Sequence, residues 1–188
     1  MHSKRLVATP PFAPAALFPV SYSHTINIIM EKKIVYIDMD NVLVNFQSGL
    51  DKSHPDVLRK NKKHLDEIPG LFSLMDPMPE ALESIEVLKN HFDVYILSTA
   101  PWKNPSAWSD KLLWVHRFFG MENESVFYKR LILTHHKELN IGDYLIDDRT
   151  RNGADHFKGE LIQFGSEQFP DWKSVVEYLL KKENIMKH

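Results

Sequence analysis

The 188-residue sequence contains no cysteine. Disulfides, thiolate metal sites and thiol nucleophiles are thereby excluded together, and any bound metal is left to oxygen or imidazole ligands. A basic excess is also missing. The 23 Lys and Arg stand against 25 Asp and Glu, a formal net charge of -2, so a surface for a nucleic-acid polymer is not indicated. No apolar run approaches the roughly 18 residues of a membrane-spanning helix. Internal repeats are absent, as are low-complexity tracts beyond a proline-rich start. What is present, 43% hydrophobic and 26% charged residues, is ordinary for a soluble domain with one full core, and a cytoplasmic protein is expected.

Residues 1–30 differ from the rest of the chain. They carry Pro10, Pro11, Pro14 and Pro19 and no acid before Glu31. Two readings stand side by side: a transit-type peptide, or a functional start at Met30, from which Met30-Glu-Lys-Lys leads directly into the first strand. On either, residues 1–30 are a disordered or non-native extension, with residues 1–25 poorly ordered and dispensable. Residues 31–188 then form the domain.

That domain is organised around Ile34-Val-Tyr-Ile-Asp-Met-Asp-Asn-Val-Leu-Val44. An apolar, β-branched run without alternation reads as a strand buried on both faces, and it ends in two acids, Asp38 and Asp40. Burying carboxylates there is costly unless a cation compensates them. Further short apolar strands are expected at Val94–Leu97, Leu131–Leu133, Tyr144–Ile146 and Leu161–Phe164. Helical periodicity covers 80–91, with Pro79 in its first turn, and a segment stopped by Gly120 whose inward face is Trp108, Leu112, Val115 and Phe119. Asp171 caps a last helix with Trp172, Val175, Val176, Leu179 and Leu180 inward. Residues 45–78, punctuated by Pro69-Gly70, read as a small helical cap over the strand ends. The run Arg59, Lys60, Lys62, Lys63 within it reads as a solvated helix face. Alternating strands and helices give an α/β fold: an open parallel Rossmann-like sheet flanked by helices, with the cap inserted after the first strand.

In such sheets ligands bind at the carboxyl ends of the strands. The expected strand ends carry Asp38 and Asp40, then Ser98 and Thr99, then Lys137, then Asp147 and Asp148. Four carboxylates, a hydroxyl and a lysine meet the needs of magnesium-dependent phosphoryl transfer. His135 and His136 are adjacent, so their side chains diverge, and they read as loop residues. Arg149 and Arg151 can pair with the acid cluster or the cap, and no catalytic role falls to them.

The order and wording of these motifs resemble the haloacid-dehalogenase superfamily of phosphatases, and more narrowly the 5'(3')-deoxyribonucleotidase family, over about 30–182. The resemblance implies Asp38 as nucleophile and Asp40 as acid/base. It places Ser98 and Thr99 at a phosphate-binding hydroxyl, Lys103 at a substrate-contacting lysine and Lys137 at the phosphate-neutralising lysine. Mg²⁺ is implied to be held by the Asp38 side chain, the Asp40 backbone carbonyl and Asp147 or Asp148. Phe46 and Phe72 match aromatic positions lining a base pocket. Two positions depart from the pattern, Asn41 and Glu80 standing where Gly is expected, and the cap is shorter than in the animal enzymes. The implied substrate is a small phosphomonoester, a (deoxy)nucleoside monophosphate, with sugar phosphates as the alternative; neither a nucleic-acid polymer nor a membrane is a partner. An aromatic-rich cap is compatible with a homodimer. A phospho-accepting receiver domain also joins acids, Ser/Thr and Lys at strand ends, but it has the opposite motif order and a shorter chain.

Overall fold

The run Ile34–Ile37 forms strand β1, and Val35, Tyr36 and Ile37 are all buried, as unbroken apolar patterning demands of a strand covered on both faces. The computed structural model describes residues 31–185; the expectation for residues 1–25 lies outside them. The remaining strands are β2 (Val44–Asn45), β3 (Asp76–Pro77), β4 (Asp93–Ser98), β5 (Leu131–Leu133), β6 (Tyr144–Asp147) and β7 (Glu160–Gln163). The helices are α1 (Phe46–Asp51), α2 (Pro55–Lys60), α3 (Ala81–His91), α4 (Pro105–Phe119) and α5 (Trp172–Lys182).

β1 lies at the centre of a parallel five-stranded sheet of order β5-β4-β1-β6-β7. The chain works outward through β4 to β5, then returns to the other side of β1 for β6 and β7. That reversal opens a crevice at the carboxyl ends of β1 and β6. Register does the rest. Ile37 pairs with Ile146, so the next residues, Asp38 just past β1 and Asp147 at the end of β6, stand side by side. The Asp38 N–H donates to the Ile146 carbonyl at 2.9 Å. Alternate residues divide between two apolar clusters: Val35, Ile37, Ile96 and Ile146 meet Ile85, Leu88, Val175 and Leu179, while Tyr36, Leu97 and Leu145 meet Ala154 and Phe157. No helix among the described residues is long and apolar enough to cross a membrane.

Helix α4 corrects the expected facing. Its buried residues are Ala107, Asp110, Lys111, Trp114 and Val115, whereas Trp108 and Leu112 are 36% and 43% exposed. The seam is rotated because Lys111 turns inward, a charge where a pattern of apolar residues alone places none. At α3 the helix starts at Ala81 rather than around Pro79, with Glu80 as its N-cap. Asn41 and Glu80, the two departures from Gly, both hold positive φ, 58° and 61°. The left-handed backbone is thus kept without glycine; Asn tolerates it well, Glu less so.

Residues 45–78 fold as α1, α2 and two 3₁₀ turns, Leu65–Glu67 and Leu71–Leu74. The antiparallel pair of β2 and β3 joins the entry and exit of this insertion. Asn104, 1% exposed, ties it to the start of α4. Its Nδ2 donates to the carbonyls of Asp66 at 2.9 Å and Ile68 at 3.0 Å, and its Oδ1 accepts from Ser106 Oγ, itself an acceptor for Gly70 N–H. Asn104→Ala leaves the buried Ile68 carbonyl and the part-buried Asp66 carbonyl without this donor. A loss of about 1–3 kcal/mol of stability is expected, read from urea unfolding; an unchanged midpoint would show that the clamp contributes nothing.

Candidate active site

Asp38 and Asp147 close around one ammonium. Lys137 Nζ donates to Asp38 Oδ1 at 2.9 Å and to an Asp147 carboxylate oxygen, and all three side chains are buried. Lys137 opens a 3₁₀ turn, Lys137–Leu139, whose first N–H is anchored on the Asn152 carbonyl at 2.9 Å. Burial disfavours its charge, but Asp38 and Asp147 outweigh burial and raise its pKa, so it remains a cation. Asp148 completes the acid group. Its carboxylate, with those of Asp38 and Asp147, offers oxygens all within 4.8 Å of one another. Asn41 Nδ2 donates to Asp148 at 3.3 Å and Arg149 Nε at 3.2 Å.

Asp40 has its own partner, which sequence reasoning missed. Lys111 Nζ, 0% exposed, donates to Asp40 Oδ1 at 2.6 Å and to Ser98 Oγ at 3.1 Å. The same ammonium sits 4.7 Å from the centroid of the Phe72 ring. Four buried or half-buried acids are therefore balanced by two buried lysines, with Arg149 at the edge. The consequences differ by residue. Burial raises the Asp38 pKa, yet Lys137 and Lys111 prevail and hold it below the usual carboxylate range. At Asp40 burial prevails over Lys111, with Asp38 adding to it, and the pKa is raised. Burial and the charge of Asp38 push Asp147 up to about 6 against the pull of Lys137.

The other expected residues fall into three groups. Thr99 stands at the mouth of the acid cluster, its Oγ1 donating to the Thr134 carbonyl at 2.7 Å. Ser98 is fully buried beneath it, a partner of Lys111 rather than an open hydroxyl. Phe46 lines a cleft of about 560 Å³ that leads outward from Asp40 and Thr99. Two expectations need correction. Phe72 is 2% exposed and lies behind Phe46, the ring centroids 6.1 Å apart, so it backs the cleft wall without lining it. Lys103 does not join the cluster: its side chain is 72% exposed, with Glu67 as its nearest acid at 3.9 Å.

The cleft recruits residues that were given no role. Lys62 and Lys63, read as a solvated face, are exposed but line it, together with Leu65 and Asp66. Arg149 lines both the cleft and the acid pocket, which also includes Arg151 and Asn152. His135 lines the cleft beside Trp102. The arrangement is a narrow acid pocket lined by Lys137 and backed by the buried Lys111, opening past Thr99 into a wider, partly apolar cleft. Chemically it can hold an anion at the floor and a larger apolar group above.

Comparison with known proteins gives a family. The family model for 5' nucleotidase, deoxy (pyrimidine), cytosolic type C proteins matches residues 48–171; that span contains Thr99, Lys137 and Asp147-Asp148 and begins after Asp40. A protein of Vibrio phage KVP40, provisionally named a 5'(3')-deoxyribonucleotidase, is 58% identical over 149 residues, covering 79% of this chain and 85% of its own. A Staphylococcus aureus protein with the same provisional name is 31% identical over 188 residues, covering 84% of this chain and 100% of its own. Among solved structures, a HAD-hydrolase of Bacillus subtilis bound to magnesium shares 12% identity at a TM-score of 0.45, over 82% of this chain and 99% of that one.

Proposed function

The chain belongs to the 5'(3')-deoxyribonucleotidase family, a family of phosphoric monoester hydrolases, and from that membership we propose that it is a phosphatase of haloacid-dehalogenase type that removes phosphate from (deoxy)nucleoside monophosphates through an aspartyl-phosphate on Asp38, with Mg²⁺. The observation that carries the reading is the convergence of the Asp38, Asp147 and Asp148 carboxylates within 4.8 Å on a pocket that also holds Lys137. This all-oxygen donor set fits a hard divalent cation. Asp38, Asp147 and Asp148 would hold it through their side chains, joined by the backbone carbonyl of Asp40. When bound, magnesium supplies positive charge against the phosphoryl oxygens.

The side chains divide the work. Asp38, kept ionised by Lys137 and Lys111, attacks phosphorus in line, forming the Asp38–phosphorus bond as the ester oxygen leaves. Asp40, whose burial favours its protonated form, gives its proton to that oxygen. It then takes a proton from the water that hydrolyses the aspartyl-phosphate, releasing inorganic phosphate. Lys137 holds a remaining phosphoryl oxygen, joined by Thr99 once its hydroxyl turns from the Thr134 carbonyl, and residues 45–78 act as a cap over the site.

Phosphate release from a panel of dUMP, dTMP, ribonucleotides and sugar phosphates tests the reading. Nucleoside monophosphates should be the better substrates; a panel led by sugar phosphates would overturn the substrate assignment. Excess EDTA should lower turnover by at least about 100-fold, in line with metal-supplied charge stabilisation, and added Mg²⁺ should restore it. Full activity in EDTA would remove the metal from the scheme.

A further inference from the structure

Trp102 follows Thr99-Ala100-Pro101 directly, on the loop that leads from β4 to α4. Its side chain lines the outer cleft and is 80% exposed. A large aromatic left open to water on the wall of a binding cleft is free to stack against another flat apolar surface. The ring is not loose. His135 meets it edge-on, centroids 5.9 Å apart at 73°, and His135 in turn leans on Trp108 of α4 at 6.2 Å and 44°. Three rings, Trp102, His135 and Trp108, therefore form one cluster of edge-on and tilted contacts. Phe46 and Leu65 line the same cleft, as do Asp40, Thr99, Lys62 and Lys63.

Resting on the phosphomonoesterase reading, we infer that Trp102, braced by His135, is the platform on which the substrate's base stacks, and so a residue that determines specificity. A phosphoryl group held at Asp38 directs its leaving oxygen towards Asp40, and whatever that oxygen carries must extend into the cleft beyond. The partner matched to this wall is a flat, π-bearing ring joined to the phosphate by a short polar spacer, which describes a nucleoside monophosphate. Because the indole is open on its outer side, the platform sets no limit on ring size. Purine and pyrimidine monophosphates are both accepted, and the two-ring base covers more of the indole.

The test compares native enzyme, Trp102→Ala and Trp102→Phe on dGMP, dUMP and the base-free ester deoxyribose 5-phosphate. An exposed side chain can be truncated without disturbing the core. Trp102→Ala should lower kcat/KM about ten-fold on the nucleotides, the size of one lost base–aromatic stack, mainly through KM and more for dGMP than for dUMP. Its activity on deoxyribose 5-phosphate should stay at the native level, and Trp102→Phe should recover most of the nucleotide activity. Equal losses on all three esters, or no loss on the nucleotides, overturns the platform while leaving the nucleotidase reading in place. A native enzyme that turns over deoxyribose 5-phosphate as well as the nucleotides overturns both.

Discussion

Asp38→Asn is expected to reduce phosphate release by at least about 10⁴-fold, the scale on which a covalent nucleophile is lost. Asn matches Asp in shape but has no ionised oxygen to attack phosphorus. The variant should fold, because it removes one of the four acids that crowd the two buried lysines, and Lys137 keeps its ion pair with Asp147. A nucleotide should therefore still bind, as isothermal titration can show. Two measurements separate this from mere disruption. Acid quenching of native enzyme with phosphate-labelled substrate should trap label on protein, and the variant should trap none. Near-native turnover by Asp38→Asn, or label trapped on it to the native extent, would move the nucleophile elsewhere.

Much of this site was legible in the sequence because of what ends the strands. An apolar run that stops at a carboxylate marks both the strand and its functional end, as at Ile37-Asp38 and Ile146-Asp147. Parallel register then carries those ends to one rim. The same logic reached Thr99 and Lys137. It did not reach Lys111, since a lysine in an amphipathic helix is read as surface unless its partner is known, and Asp40 lies 71 residues away in sequence. Missing Lys111 also shifted the expected face of α4, which placed Trp108 and Leu112 inward. Phe72 and Lys103 failed for a related reason. Position in a motif says which segment nears the site, while the rotamer and neighbours decide whether a side chain backs the wall or points to water. Lys62 and Lys63 show the reverse: exposed residues on a polar insertion, brought to a cleft by the Asn104 clamp, with nothing local to distinguish them from a solvated face.

Lys111→Met is the second large effect, and it separates positioning from chemistry. Met preserves length and apolar volume but removes the ammonium 2.6 Å from Asp40 Oδ1. Breaking a buried pair by deleting one partner costs about 3–5 kcal/mol when the remaining charge has nowhere to go. Asp40 can escape part of that by taking up a proton, so a loss of about 2–4 kcal/mol is expected. The double variant Asp40→Asn, Lys111→Met should recover much of it, because no charge is left unpaired; strict additivity in that cycle would mean the pair is not coupled. Turnover should fall about 100-fold, the contribution of one well-placed acid/base group. The loss should also depend on the leaving group. A nucleoside alkoxide needs Asp40's proton, whereas p-nitrophenolate leaves without it. In kcat/KM, which reads the steps up to the aspartyl-phosphate and not the later hydrolysis in which Asp40 serves both esters as base, p-nitrophenyl phosphate should therefore lose far less than dUMP. Lys111 touches no substrate in this scheme; it positions Asp40, with Ser98 as its other partner, and adds to the charge that keeps Asp38 ionised, which the closer Lys137 still supplies in the variant. Equal losses on both esters would mean that removing the lysine damages the whole pocket rather than the proton donor.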